Sequence, residues 1–138
     1  MLPQIVKPSD SDLLKLLKDF NKNSLSEFKH DLKAKKEEIL VLKLDGELAG
    51  VIKFKNLNNH SRIESFYVIK EELRHKGLGQ RLYDAYEKSL KSKKFIEAYV
   101  YLTNIKAQRF YEKNGFVIVK KSKDNAGEEM YYMKKSLN

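Results

Sequence analysis

The sequence of 138 residues contains no cysteine, no tryptophan and only two prolines. The absence of cysteine excludes disulfides, thiolate metal sites and a covalent cysteine nucleophile, and it agrees with a reducing compartment. No run of residues approaches the roughly 18 apolar residues that a membrane span requires, and the N-terminal segment lacks the apolar core of a signal peptide. From these absences we expect a cytoplasmic protein with no membrane partner.

Positive charge, in contrast, is abundant. Lys and Arg number 28 against 19 Asp and Glu, which gives a net charge of +9. Such a balance attracts polyanions, whether nucleic acid, an acidic membrane face or a phosphate-rich small molecule, and charge alone does not choose among them. His30, His60 and His75 are too scattered along the chain for a metal cluster, so we predict no metal.

The hydrophobic pattern predicts a mixed fold in a single domain over residues 1–138, because no linker or internal repeat divides the chain. Helical and alternating periods follow each other in the order βααβββαβαββ. We expect an α/β protein with three layers, α/β/α, around a mixed, mostly antiparallel sheet of about six to seven strands. The predicted strands cover residues 4–7, 39–44, 48–56, 62–69, 95–102, 116–119 and 130–133; the predicted helices begin at a Ser11 or Asp12 cap, at Ser26, at Leu78 and at an Asn104 cap.

A glycine-rich loop, Arg74-His75-Lys76-Gly77-Leu78-Gly79, joins a predicted strand to a predicted helix. Glycines at a helix start expose backbone N–H groups, and the positive end of the helix favours an anion. Dinucleotide and P-loop motifs are incomplete here, because Leu82 replaces a required glycine and Gln80-Arg81 replaces Lys followed by Ser or Thr. By itself the loop is better explained as an ordinary turn before a helix, with Arg74, His75 and Lys76 as solvated charges.

A second motif, from Asn104 to Phe116, reads NIKAQRFYEKNGF. Together the two motifs resemble the signatures of the GNAT superfamily of N-acetyltransferases. Its first signature has Arg or Gln, two residues, Gly, one residue, then Gly or Ala; its second has Asn, Ala, Phe-Tyr-Glu-Lys and Gly-Phe. The resemblance covers about residues 62–119 by motif and the remainder only by the order of elements.

The resemblance implies acetyl-CoA as cosubstrate. Main-chain N–H groups of the loop would hold the pyrophosphate, and backbone groups of the preceding strand would pair with the pantetheine arm. Asn104 would also meet the pantetheine, although capping its own helix explains that residue equally well. One extra residue and no proline lie between the strand and the loop, which leaves Val68 or Ile69 open as the last pantetheine contact. The coenzyme-binding residues implied are Phe66, Tyr67, Val68, Arg74, His75, Lys76, Gly77, Leu78, Gly79, Gln80 and Asn104.

Glu64 is a candidate general base, because carboxylates near this position act on the substrate amine in some relatives. An alkylamine with a pKa near 10.4 is only about one part in a thousand neutral at pH 7.4, so its deprotonation costs roughly 4 kcal/mol. The alternative for Glu64 is a structural ion pair across the sheet with Arg62, Lys53 or Lys55.

Tyr111 occupies the second position of Phe-Tyr-Glu-Lys, where the resemblance implies a proton donor to the departing thiolate. Because a tyrosine near pKa 10 protonates a thiolate near 8.5 only uphill, we expect hydrogen-bond stabilisation of the sulfur as much as full transfer. The alternative is plain core packing beside Phe110.

The function implied is an N-acetyltransferase that moves an acetyl group from acetyl-CoA to the primary amine of a small molecule or peptide, by direct transfer in a ternary complex. Two alternatives stay open: a non-catalytic acyl-CoA-binding protein, and a basic nucleic-acid-binding module that stacks bases on the tyrosines at 99, 101, 131 and 132. We expect no nucleic-acid partner, and the sequence leaves a homodimer open.

Overall fold

The computed structural model describes residues 3–69 and 77–137, which form seven strands and four helices in the predicted order. The strands lie in one sheet in the order β1-β2-β3-β4-β5-β7-β6. The fold class predicted from the sequence is therefore confirmed. The strands are β1 (Gln4–Val6), β2 (Glu37–Leu44), β3 (Glu47–Asn56), β4 (His60–Val68), β5 (Phe95–Tyr101), β6 (Val117–Lys123) and β7 (Glu129–Ser136); the helices are α1 (Asp10–Leu16), α2 (Leu25–Ala34), α3 (Leu78–Lys88) and α4 (Ile105–Lys113).

The N-terminal cap of the first helix lies earlier in the chain than the sequence predicted. Ser9, rather than Ser11 or Asp12, caps α1 in a reciprocal box: its hydroxyl accepts from the Asp12 N–H, and the Asp12 carboxylate accepts from the Ser9 N–H. This prediction was wrong because several Ser and Asp residues in the segment satisfy the same capping preference. Helix α2 begins at Leu25, one residue before the predicted Ser26, and its cap is Ser24, which accepts from the Glu27 N–H.

The turn between β2 and β3 is formed by Asp45-Gly46, in the gap between the predicted strands 39–44 and 48–56. Both residues have positive φ, 51° for Asp45 and 80° for Gly46, and the turn joins the Leu44 and Glu47 pair of the antiparallel register. Consecutive positive φ values are the geometry of a tight hairpin turn, and Asp-Gly tolerates them well.

The described chain packs as two compact units, one holding the residues to Asn56 and those from Glu64 to Lys91, the other Leu57–Ile63 and the chain from Ser92 onward. In the first unit, α1 and α2 bury Leu16 and Phe28 against one face of β2 and β3. Helix α3 packs on β3 in the same unit, where the Tyr86 ring lies 4.7 Å from the Phe54 ring. Gly50 of β3 leaves room for this helix, since a Cβ built there would lie 3.3 Å from Leu82 Cδ2.

In the second unit, β5 is paired on both sides. It runs parallel to β4 from His60↔Phe95 to Ile63↔Ala98, and antiparallel to β7 along its whole length. The parallel pairing of β4 with β5, beside the antiparallel pairs, makes the sheet mixed, as the sequence predicted. The buried face of this unit consists of Ile96, Ala98, Val100, Tyr111, Phe116 and Met133.

Candidate active site

Helix α3 begins at the second half of the glycine loop. Gly77 is its N-cap, with φ 74°, and among the residues that the structure describes no side chain caps the helix; its first turn contains no acidic residue. The first N–H groups of a helix have no partner within the helix, and the positive end of the macrodipole coincides with them. This helix end therefore suits an anion such as a phosphate. The remaining predicted loop residues, Arg74, His75 and Lys76, lie outside the described residues.

The side chains next to Gly77 in the helix do not point to a ligand role of their own. Leu78 is buried, with 8% of its surface exposed. The Gln80 amide donates to the Asp84 carboxylate of the same helix at 2.8 Å. If Leu78 and Gln80 bind an anion, they therefore do so through their backbone N–H groups.

The start of α3 lies beside β4. A Cβ built on Gly79 would lie 3.9 Å from both Phe66 Cζ and Val68 Cγ2, which is ordinary van der Waals contact. The structure therefore brings together two sets of residues that the sequence predicted as one coenzyme site, the end of the glycine loop and the Phe66–Val68 segment.

The backbone of β4 divides its residues into two groups. The Ile69 N–H donates to the Ala49 carbonyl of β3 at 2.8 Å. In an antiparallel pair the backbone groups of alternate residues point to opposite edges, so those of Tyr67 point to β3 like those of Ile69, and those of Phe66 and Val68 point to the other edge. The Ile69 N–H is thus paired with β3, whereas the backbone groups of Val68 point to the other edge.

Glu64 is exposed on β4, and its carboxylate forms no hydrogen bond or ion pair with any other residue that the structure describes. Two of the partners considered for it pair elsewhere: Arg62 Nε donates to Glu97 at 2.6 Å, and Lys53 Nζ lies 3.6 Å from Glu37. The structural alternative for Glu64, an ion pair across the sheet, is thus not formed among the described residues.

Tyr111 lies on α4 with 6% of its surface exposed. Its ring packs at 5.7 Å from the Phe110 ring and 5.0 Å from the Phe116 ring. Its hydroxyl has no hydrogen-bond partner within residues 3–69 and 77–137. Burial raises the pKa of the Tyr111 phenol, so the hydroxyl keeps its proton at neutral pH and is available as a donor.

Asn104 caps α4, as one of its two interpretations required. Its side-chain oxygen accepts from the Ala107 N–H at 3.2 Å. This oxygen is therefore used by the helix, which leaves the amide NH₂ of Asn104 as the group that would meet a ligand.

A buried carboxylate that the sequence analysis did not single out lies on β5. Glu97 is 5% exposed and accepts from Arg62 Nε at 2.6 Å and from the Tyr132 hydroxyl at 2.7 Å. Burial by itself would raise the pKa of Glu97, but the hydrogen bonds from Tyr132 and Arg62 outweigh it and hold the pKa below its usual value. In the sequence, the signal for Glu97 was a single charged residue among the apolar and aromatic residues of β5.

The tyrosines considered for base stacking are partly engaged in other contacts. Tyr101 donates to Asp124 at 2.7 Å, while the Tyr99 and Tyr132 rings lie 5.1 Å apart and Tyr99 is 44% exposed.

Within the part of the chain that the structure describes, no group of three or more His, Cys, Asp or Glu residues is arranged to hold a metal ion. None of the described helices is both long and apolar enough to span a membrane.

The fold, with the glycine-started helix α3 beside β4, is that of an acetyltransferase. The sequence model of the Acetyltransferase (GNAT) family matches residues 8–116, and the chain belongs to this family. Its members use acetyl-CoA, which confirms the predicted cosubstrate. No curated protein sequence matches the chain.

Solved structures of the family share the fold along the whole chain. Ard1 from Thermoplasma volcanium superposes with a TM-score of 0.83 at 22% identity, covering 100% of this chain and 99% of its own. The ribosomal-protein-S18-alanine N-acetyltransferase from Escherichia coli has a TM-score of 0.81 at 15% identity, with 99% and 95% covered. PaiA N-acetyltransferase from Thermoplasma acidophilum, solved in complex with coenzyme A, has a TM-score of 0.78 at 21% identity, with 99% and 100% covered.

Proposed function

We propose that this protein is an N-acetyltransferase that transfers the acetyl group of acetyl-CoA directly to a primary amine while both substrates are bound. The observation that carries the proposal is the start of α3, where Gly77 is an N-cap with no side-chain cap from the described residues, and Gly79 lies against Phe66 and Val68. An anion-binding helix end beside a strand with outward-pointing backbone groups matches a ligand that has a pyrophosphate joined to an amide-containing arm.

In this proposal the pyrophosphate lies at the N–H groups that open α3, with the cationic residues of the loop before it. The pantetheine arm pairs with the backbone groups of Phe66 and Val68, which point away from β3. Because these contacts are made by main-chain atoms, they depend on the path of the backbone more than on the identity of the side chains.

Glu64 receives the proton of the acceptor ammonium, directly or through water. Its carboxylate is exposed and unpaired among the described residues, which leaves it available for that proton. The neutral amine nitrogen then attacks the thioester carbonyl carbon, the new C–N bond forms, and the C–S bond breaks to release the coenzyme thiolate. The second proton leaves the nitrogen to water or to the released sulfur, which gives the neutral amide.

Tyr111 donates a hydrogen bond to this thiolate. The raised pKa of its buried phenol makes complete proton transfer to sulfur unfavourable, so its main contribution is stabilisation of the developing negative charge. Asn104 adds an amide NH₂ toward the pantetheine while its oxygen caps α4.

The acceptor we propose is a primary amine on a small molecule or a peptide. The comparison structures from Escherichia coli and Thermoplasma acidophilum are both named as N-acetyltransferases, and this supports nitrogen as the atom that accepts the acetyl group.

The test is a panel of amines, including polyamines, aminoglycosides, amino acids and peptide N-termini, assayed for acetyl-CoA-dependent thiol release. A stabilising shift of the melting temperature by acetyl-CoA, together with turnover of at least one amine, is the expected result. A shift without turnover across the panel would replace the proposal by a non-catalytic acyl-CoA-binding protein. No shift, with salt-sensitive binding of an oligonucleotide, would favour the nucleic-acid alternative.

A further inference from the structure

The chain between α1 and α2, residues 17–24, contacts β4 at the side chain of Tyr67; we call these residues the α1–α2 segment. The Tyr67 hydroxyl donates to the Asp19 carboxylate at 2.7 Å, and the Tyr67 ring lies 6.4 Å from the Phe20 ring. Burial of the phenol and the adjacent carboxylate raise the pKa of Tyr67, so the hydroxyl keeps its proton and remains a donor at neutral pH. A hydrogen bond from a hydroxyl to a carboxylate is among the stronger ones in proteins.

The α1–α2 segment is itself held in place by contacts with α2 and β3. The Phe20 ring lies 5.5 Å from the ring of Phe28, a buried residue of α2, and the Lys53 ammonium lies 4.8 Å from the centre of the Phe20 ring. Near the other end of the segment, the Lys22 ammonium lies 2.6 Å from the Asp31 carboxylate of α2. A loop with several such contacts opens less often than one without them, so it can support the strand that it contacts.

Tyr67 lies within the part of β4 that is proposed to bind the coenzyme. Side chains alternate along a strand, so Tyr67 points to the α1–α2 segment, whereas Phe66 and Val68 point to the face on which Gly79 of α3 lies. The Ile69 N–H, as described above, fixes the same stretch to β3. This part of β4 is thus held between the α1–α2 segment on one face and the start of α3 on the other, and all of these residues belong to one compact unit.

We propose that Asp19 is a positioning residue for acetyl transfer: by accepting the Tyr67 hydroxyl it holds residues 64–68 of β4 against the start of α3. This inference rests on the proposed function, in which one coenzyme molecule lies along both the strand and the helix end. A change in the spacing of these two elements should therefore weaken acetyl-CoA binding while leaving acceptor binding nearly unchanged. The structural part, the holding of residues 64–68, does not depend on activity.

Three substitutions separate the hydrogen bond from the charge of Asp19. Asp19→Ala removes the acceptor, Tyr67→Phe removes the donor, and Asp19→Asn keeps an acceptor oxygen without the charge. Asp19 is exposed, so its replacement leaves no cavity in the core and the variants should fold. The matched control is Tyr101→Phe, because the Tyr101 hydroxyl also donates to an aspartate, Asp124, at 2.7 Å and belongs to the other compact unit.

The primary measurement is hydrogen exchange of the amides of residues 64–69, and the second is the KM of acetyl-CoA and of the acceptor. We expect Asp19→Ala and Tyr67→Phe to speed exchange in this stretch and to raise the acetyl-CoA KM by about tenfold, with little change in the acceptor KM. Asp19→Asn should stay close to the wild type, because its amide oxygen still accepts the hydroxyl. Tyr101→Phe should leave exchange in residues 64–69 and both KM values unchanged, even if it lowers the melting temperature as much.

The double variant Asp19→Ala with Tyr67→Phe tests whether the two residues act through one contact. It should be no more impaired than either single variant, since both remove the same hydrogen bond. Losses that multiply, an Asp19→Asn variant as impaired as Asp19→Ala, or faster exchange with an unchanged acetyl-CoA KM would each overturn the proposal, as would unchanged exchange. If the wild type neither binds acetyl-CoA nor acetylates any amine, the proposed function fails, while the exchange comparison still decides whether Asp19 holds this part of β4.

Discussion

The substitution Gly77→Ala separates the two roles of the glycine loop, turn and anion site. Gly77 has φ 74°, and a Cβ built on it would meet no atom within 4 Å. The cost of an alanine there is therefore conformational, about 1 to 2 kcal/mol for a left-handed residue with a side chain. For a chain of 138 residues, whose unfolding entropy is about 0.3 kcal/mol/K, this lowers the melting temperature by about 3 to 7 °C.

The matched control is Gly127→Ala in the turn between β6 and β7. Gly127 has φ 84° and likewise no atom within 4 Å of a built Cβ, so its replacement carries the same backbone cost. Only Gly77, however, precedes N–H groups proposed to hold the pyrophosphate. Because a hydrogen bond to a charged group contributes about 1.5 to 3 kcal/mol, misaligning one such N–H weakens acetyl-CoA binding by about tenfold or more.

The assay is the melting temperature of each variant with and without acetyl-CoA, followed by acetyl-CoA KM. We expect similar losses of stability in both variants and a raised KM in Gly77→Ala alone. The reasoning is refuted if Gly77→Ala binds acetyl-CoA as tightly as the wild type, or if Gly127→Ala weakens binding by the same factor.

Three further predictions concern side chains. Tyr111→Phe should lower kcat by about 100-fold with little change in acetyl-CoA KM, because it removes one hydrogen-bond donor to a developing charge. The control Tyr101→Phe also loses a hydroxyl, one that donates to Asp124, and should keep wild-type kcat. Glu64→Gln should lower kcat/KM for the acceptor by about 10- to 100-fold at neutral pH, and the loss should shrink as the pH rises toward the pKa of the amine, because less deprotonation is then required; a pH-independent deficit would contradict a base. Because the pKa of Glu97 is lowered in the folded protein, its ionised form adds stability above the unfolded pKa of about 4.3, and this stability is lost as the pH falls through the folded pKa. Glu97→Gln should therefore make the melting temperature fall less steeply in acid than it does in the wild type. An unchanged dependence of melting temperature on pH would refute this.

The elements of the fold were readable from the sequence because each has a strong local signal. The Asp45-Gly46 turn requires positive φ at two successive residues, and this pair of residues tolerates it. The start of α1 was misplaced because Ser9, Ser11 and Asp12 share the same local preference, and the reciprocal hydrogen bonds that select Ser9 exist only in the folded helix.

The site could be predicted from the sequence only in part, because some of its residues have a local signal and others depend on tertiary contacts. Gly77 is visible as a glycine because the backbone there requires one. The edge of β4 that the backbones of Val68 and Ile69 face bears on the proposed pantetheine contact, and it depends on the tertiary contact of Ile69 with Ala49. Glu97 was missed for the same reason, because its partners are distant in sequence and meet only in the sheet.

The low identity of the chain to its structural relatives follows from how the coenzyme is proposed to be held. Fold similarity persists at TM-scores of 0.78 to 0.83 while identity is only 15 to 22%. Many different sequences can form a helix that begins at a glycine and a strand whose backbone points outward, provided that the strand keeps its direction. The proposed acceptor amine, in contrast, would be recognised through side chains, and those can change without altering the backbone that is proposed to hold the coenzyme.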